Sequence, residues 1–424
     1  MEQQVEFRKS ITWVQGSALT VGAVLGAGIL VLPAIAADMA GPASLISWLL
    51  MGLFSVPMVV AIGSMSSRFP DSGGMATYVR QAFGHQASQV TGVLMLTAMP
   101  FGMPVTALVG AHYLGSVFAW SSAGIHLAAA GLLLTAIALN YRGIELSGRT
   151  QVLVVSAIFF ILTIAVWSAI PQIRFAAFAT FLPHGWIPVG EAMTLLFFAF
   201  IGWEMIGHLA EEFNNPRRDI PLSLGAAVLL VNTLYFAVAF VTVGTEVYHS
   251  GNPVTAMVAL VAFRWGEMAG TLVALLGFIV CYCPVHTFIA GFSRLVYAQA
   301  RDGHFPERLS RLHPRFQTPH IALILFAPLY VFILLLSYLL SWDLKPLISL
   351  PSANFLVVYT LGMVAAARII PSKGGKVSAW ISAVLSFGIF LFAGWFALFP
   401  VAVTLVVVYY QRRCGARPSA GPFS

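Results

Sequence analysis

Apolar residues run along this chain in blocks of about twenty, divided by short segments that hold most of its arginines and lysines. A helix needs about 20 apolar residues to cross the hydrocarbon core of a bilayer. The blocks predict twelve spanning helices, at roughly 13–38, 42–66, 88–117, 123–140, 150–171, 190–210, 221–247, 269–299, 319–341, 346–368, 377–393 and 395–411. The last two share one apolar run, Val377 to Tyr410. At about 1.5 Å per residue that run is too long for one ordinary crossing, and a split near Gly394 makes it a hairpin. Two connections draw attention: Ala300 to His320, basic and proline-broken, reads as a short surface helix, and Arg174 to Trp186 reads as a segment lying at the bilayer interface.

Composition agrees with the pattern. The chain has 424 residues, 59% hydrophobic and 9% charged, with a mean hydropathy of +0.88. A soluble domain carries about 25% charged residues, so too few are present to cover a water-facing surface. With the N-terminus in the cytoplasm, nineteen of the 22 lysines and arginines fall on that side and only Arg174, Arg264 and Lys345 on the other. That bias is the positive-inside signature, and it places both termini in the cytoplasm. The net charge of +7 therefore reports topology, not a nucleic-acid surface. The polar start MEQQVEFRKS and the long apolar run after it do not read as a cleaved signal peptide. Three cysteines give no disulfide framework.

One stretch in the first span is costly. VGAVLGAGIL, Val21 to Leu30, holds Gly22, Gly26 and Gly28, and each internal glycine costs a helix roughly 1 kcal/mol relative to alanine. The sixth span carries FFAFIGWEMIG, Phe197 to Gly207, with Gly202 near mid-membrane. Each is the first helix of a five-span block, and the two blocks enter from opposite sides. Paired interruptions at matching positions point to an inverted-repeat transporter, with repeats at approximately 11–171 and 188–368, added helices at 377–411 and a tail at 412–424. Gly22-xxx-Gly26 also fits a small-residue helix contact, and this alternative stays open here.

An interrupted helix is tolerated inside a membrane only where protein or a wet cavity surrounds the freed backbone. The N–H groups that open its second half carry the positive end of the dipole and suit a carboxylate. Carbonyls that close the first half suit an ammonium group. Together they fit a zwitterionic amino acid.

The stretches GAVLGAGILVLP, RFPDSGGMATYVRQAFG, FFAFIGWEMIGHLAEEFNNPRRDIP and ARDGHFP, in that order, resemble the amino acid–polyamine–organocation superfamily, and the likeness covers nearly the whole chain. Within it, the sequence looks like bacterial exporters of L-methionine and branched-chain amino acids. The resemblance implies an all-α polytopic membrane protein with a LeuT-like 5+5 inverted repeat and broken helices one and six, in a bacterial inner membrane. It implies carboxylate binding by backbone at Gly26, Ala27 and Gly28, and amine binding by carbonyls near Ala23, Val24, Phe200 and Ile201, with Gly202 marking the second break. Phe198 matches the position where an aromatic closes over the substrate; an ordinary packed core phenylalanine is the other reading.

Glu204 lies near the middle of span six, and an intramembrane carboxyl is a functional candidate by default. His208 follows at i+4, with Glu211 and Glu212 beyond it, spacings that would put them on one helical face. Glu204 and His208 are the proton-coupling candidates; a structural carboxyl bonded to neighbouring helices is the plain alternative. Span five lacks the lysine that some proton-coupled relatives carry, leaving the coupling ion open, with Ser156 and Thr287 as hydroxyls that could help hold sodium. Cys281, Cys283 and His286 in CYCPVH lack metal-ligand spacing, and Pro284 reads as a kink.

The expected function is secondary active export of methionine, leucine, isoleucine and valine by alternating access, in exchange for protons. Import or exchange by the same fold is the alternative. Phe198, Ile201, Trp203 and groups from spans three and eight are the expected apolar lining. No GxxxxGK[ST] appears, and no cofactor is called for. HExxH and GxSG are missing as well, which sets an intramembrane enzyme far behind. The partners are an amino acid, a proton and the lipid bilayer, with no nucleic acid; pairing into a homodimer is left undecided.

Overall fold

The computed structural model describes residues 9–249, 256–342 and 344–414. It is an all-α polytopic architecture. Among the described residues, ten stretches are long and apolar enough to cross a membrane. The first, Trp13–Arg68, is 56 residues long and holds two of the expected spans. Within it, α1 (Trp13–Val24) and α2 (Ala27–Ala40) form a bent N-terminal helix. Gly41, at φ 61°, then turns the chain into α3 (Ser44–Arg68). The helix α15 (Lys373–Phe390) is not among the ten, because Lys373, Gly374, Gly375 and Lys376 fill its first turn and shorten its apolar length. The count of twelve is therefore met by helices but not by apolar stretches.

The remaining helices follow the apolar blocks: α5 (His85–Phe118), α6 (Ser122–Arg142), α7 (Ile144–Ala169), α8 (Ile187–Leu196), α10 (Pro216–Gly244), α12 (Glu267–Arg301), α13 (His320–Leu340), α14 (Leu344–Ile369) and α16 (Leu398–Cys414). Three short ones lie between them: α4 (Met75–Phe83), α9 (Met205–His208) and α11 (Ala256–Trp265). The pattern had not predicted α4 or α11, which are too short to register as crossings. The expected surface helix after α12 is a single 3-10 turn, Glu307–Ser310.

Close packing centres on α5 and α12. Gly110 faces Cys281, Gly277 faces Tyr113 and Gly92 faces Gln299, each so tightly that a β-carbon would collide. Small residues let helix backbones approach where no hydrophobic effect drives them together. Long apolar side chains point outward from α13, α15 and α16, including Leu339, Val384, Phe387 and Leu405, as a lipid-facing surface requires. Phe175 and Trp186, in the segment read as interfacial, are exposed as well. The tail beyond residue 414 lies outside the described residues.

Candidate functional site

The first helix leaves α geometry at Leu25 (ψ 84°) and Gly26 (φ −125°, ψ −143°). Gly26 N bends back to Val24 O at 3.0 Å, and α2 starts at Ala27 without a side-chain cap. The opening N–H groups of α2 thus have no intrahelical acceptor. Neighbouring elements press directly on this backbone. A β-carbon at Gly26 would sit 2.6 Å from Pro284 Cγ, and one at Gly28 would sit 2.6 Å from Ala199 Cβ. Glycine is needed here for approach.

The segment after α8 changes geometry too. Phe197–Phe200 is a 3-10 turn, Ile201 is extended (ψ 136°) and Gly202 has φ 133°. Gly202 lies on the first break: a β-carbon there would be 3.0 Å from Ala23 C and 3.1 Å from Ala23 O. Tyr235 of α10 ties the two together, its hydroxyl lying 2.5 Å from Val24 O and 2.8 Å from Ala199 O. Trp48 and Phe200 meet its ring edge-on at 5.2 and 5.3 Å, which holds the hydroxyl in place. Val24 O therefore already receives two donors, whereas Ala23 O accepts no hydrogen bond among the described residues.

Where these segments meet lies a small, partly open cavity. Ala23, Val24, Gly26, Ala27, Gly28, Phe198 and Ile201 line it. Phe200, Gly202 and Trp203 are buried behind it and do not. Spans three and eight contribute Ala98, Met99, Gly102, Met103 and Thr106, and Pro284, Phe288 and Phe292. Pro351 and Phe355 of α14 complete the wall. Thr106 has the only hydroxyl in this lining, and it donates to Gly102 O at 2.8 Å. The side-chain surface is thus apolar, and the polar groups within it are main-chain. A smaller void shares Ala27, Gly28 and Phe198 and is closed by Val31, Leu32, Val105, Val109 and Ile348. Sequence reasoning missed α14 and Tyr235. The i, i+4 spacing of Pro284, Phe288 and Phe292 marks one helix face but cannot say what that face meets.

Glu204 is 1% exposed. Its Oε2 accepts from Gly202 N at 2.9 Å and from the Tyr359 hydroxyl of α14, and its Oε1 has no partner among the described residues. His208 places Nδ1 2.9 Å from Ser72 O; a carbonyl only accepts, so Nδ1 carries a proton, and Nε2 is buried with no partner among the described residues. The expected single face does not continue, because α9 ends at His208 and a 3-10 turn follows at Ala210–Glu212. Glu212 pairs with the buried Arg294, while Glu211 accepts from Ser72 N at 2.6 Å. Of the two hydroxyls considered for sodium, Ser156 is exposed and Thr287 is buried.

Ser72 is thus gripped through both its N–H and its carbonyl, beside a charged network. Asp71 meets Arg301 at 2.5 Å and Arg80 at 3.9 Å, Arg80 meets Asp302 at 2.5 Å, and Arg301 reaches Glu211 at 3.7 Å. Burial alone would raise the Asp71 carboxyl, but Arg301, hydrogen bonds from Thr77 and Gly73, and Arg80 outweigh it and hold it below its ordinary value. The chain start joins the same end: Ile11 N donates to Glu212 O at 3.0 Å and Asn214 N to Ile11 O at 3.0 Å.

The amino acid permease family pattern matches residues 11–411. Among relatives, the uncharacterized amino acid permease YecA of Bacillus subtilis is 38% identical over 97% of each chain. The L-methionine/branched-chain amino acid exporter YjeH of Escherichia coli is 28% identical over 92% of this chain and 93% of its own. The fold is similar to a manganese transporter of Eremococcus coleocola, with a TM-score of 0.61 at 11% identity over 96% of this chain and 99% of that one. An amino acid transporter working by secondary active transport, not an enzyme, this chain belongs to the amino acid permease family.

Proposed function

We propose that the protein exports hydrophobic L-amino acids, with methionine, leucine, isoleucine and valine as substrates, by alternating access in exchange for protons. The reading takes α1–α2 and α8–α9 as the paired broken helices of a LeuT-like 5+5 repeat, spanning 11–171 and 188–368, with α15 and α16 outside it. The observation that carries it is the cavity at their meeting point, whose side-chain surface is apolar and whose polar groups are backbone. The carboxylate would sit at the N–H groups of Ala27 and Gly28, favoured by the dipole of α2, with Gly26 as the close-approach wall because its own N–H is turned to Val24 O. The amine would meet Ala23 O and the carbonyl of Ile201, while Phe200 lies behind the wall. Val24 would serve as wall, since Tyr235 holds its carbonyl. An aliphatic or thioether side chain would then lie among Met99, Met103, Phe288 and Phe355, a surface that would desolvate a charged one without compensation.

With the basic loops and both termini in the cytoplasm of a bacterial inner membrane, the Asp71 and Ser72 network seals the cytoplasmic side, and the apolar void beyond Phe198 lies toward the outside. Glu204 serves as the coupling group: Oε1 is free to take a proton while Oε2 stays bonded to Gly202 and Tyr359, and His208 lies between it and the cytoplasmic network. Counterflow in proteoliposomes with labelled methionine, leucine, isoleucine and valine at two pH values tests this. Saturable exchange that responds to a proton gradient is expected, and exchange limited to polar or cationic amino acids would overturn it. Comparing gene loss with overexpression under methionine load separates export from import.

A further inference from the structure

We infer that Gly102 sets the length of side chain the cavity accepts, an inference that rests on the reading of that cavity as the substrate site. Gly102 lies inside α5, where glycine is a poor helix former. Other glycines of that helix have a packing reason: a β-carbon at Gly92 would be 2.6 Å from Gln299, and one at Gly110 would be 2.8 Å from Cys281. Gly102 has none. A β-carbon there would meet nothing closer than Pro351 Cβ at 3.8 Å, an ordinary contact, and its φ lies outside the left-handed region.

The space it leaves belongs to the cavity, on the wall shared with Met99, Met103 and Pro351. Its carbonyl also takes the Thr106 hydroxyl, so the adjoining wall offers a long apolar side chain no polar group. Adding one methyl at position 102 narrows the cavity without disturbing a helix contact. A loss of that size in an apolar pocket is worth about tenfold or more in discrimination.

The competing role is a hinge, since Pro100 and Pro104 flank this glycine within the helix. The two roles separate in one experiment. Wild type and Gly102→Ala in proteoliposomes are competed with alanine, 2-aminobutyrate, norvaline and norleucine, an unbranched series of rising length, and with methionine, which matches norleucine in length. A length gauge predicts that the preference for norleucine over 2-aminobutyrate falls at least tenfold in Gly102→Ala. Met103→Ala, which widens the same wall, is expected to move the preference the other way. An equal loss for every member of the series would indicate a hinge and overturn the inference. Failure of Gly102→Ala to fold would overturn it too, by showing that the space is not there. Wild type that takes no member of the series would bring down the substrate-site reading, and this inference with it.

Discussion

Gly202 rests against the carbonyl of Ala23 so closely that a β-carbon would lie 3.1 Å from its oxygen. Two segments 179 residues apart in the chain (202 minus 23) thus touch through bare backbone directly behind Ala23, which lines the cavity. Contact of this kind allows no side chain, and the φ of 133° at Gly202 independently disfavours one. Strained backbone costs on the order of 1–3 kcal/mol. Gly202→Ala is therefore expected to lower thermal stability in detergent and to weaken substrate-dependent stabilisation by tenfold or more. Wild-type melting with and without methionine, beside the variant, checks this; an unaltered substrate response would show that the contact does not shape the site.

Tyr235 links the same segments from behind. Removing its hydroxyl leaves Val24 O with Gly26 N alone and Ala199 O without this donor. Stranding one buried acceptor, here Ala199 O, costs about 1–3 kcal/mol. Tyr235→Phe should melt several degrees lower while keeping the aromatic contacts with Trp48 and Phe200. Differential scanning fluorimetry against Trp48→Phe, which keeps the hydroxyl, measures the share due to the hydrogen bonds.

Glu204→Gln keeps the shape of the side chain and removes its charge. Wild-type transport should vary with pH and the variant's should be flat, with the steepest difference where a proton gradient is imposed. A variant whose pH profile superimposes on wild type would take the coupling role away from this carboxyl.

The Asp71 network should be insensitive to pH through the neutral range. A carboxyl held below its ordinary value contributes stability above that value and loses it only as pH falls through the lowered one. Between pH 5 and 8 the ties to Arg301 and Arg80 therefore stay intact, and they weaken only below about pH 4. Asp71→Asn should open this end at neutral pH and raise the labelling rate of a cysteine placed at Ser72 several-fold. Equal labelling in both backgrounds would mean that the network does not hold the loop.

Much of the cavity wall was legible from glycines in an apolar helix. Gly26 and Gly28 are unfavourable locally, so their presence demanded a contact or an opening, and both line the cavity. Phe198 and Ile201 line it too, while Trp203 packs behind it. The single helical face expected from Glu204 to Glu212 ended at His208, because the 3-10 turn at Ala210–Glu212 sends the two glutamates to separate partners, Ser72 and Arg294. Periodicity assumes that a helix continues and has no means of seeing where packing stops it.

Local chemistry was enough to state that this chain lives in a membrane and where most of its helices run, because burying apolar side chains and satisfying backbone groups in lipid are demands met residue by residue. Three-dimensional packing alone could choose which faces meet. Pro351 and Phe355 close the cavity, Tyr235 reaches two carbonyls at once, and Ser72 is gripped from both sides. Each of those facts joins residues far apart in the chain, and an apolar run looks the same whether it faces lipid, another helix or a substrate.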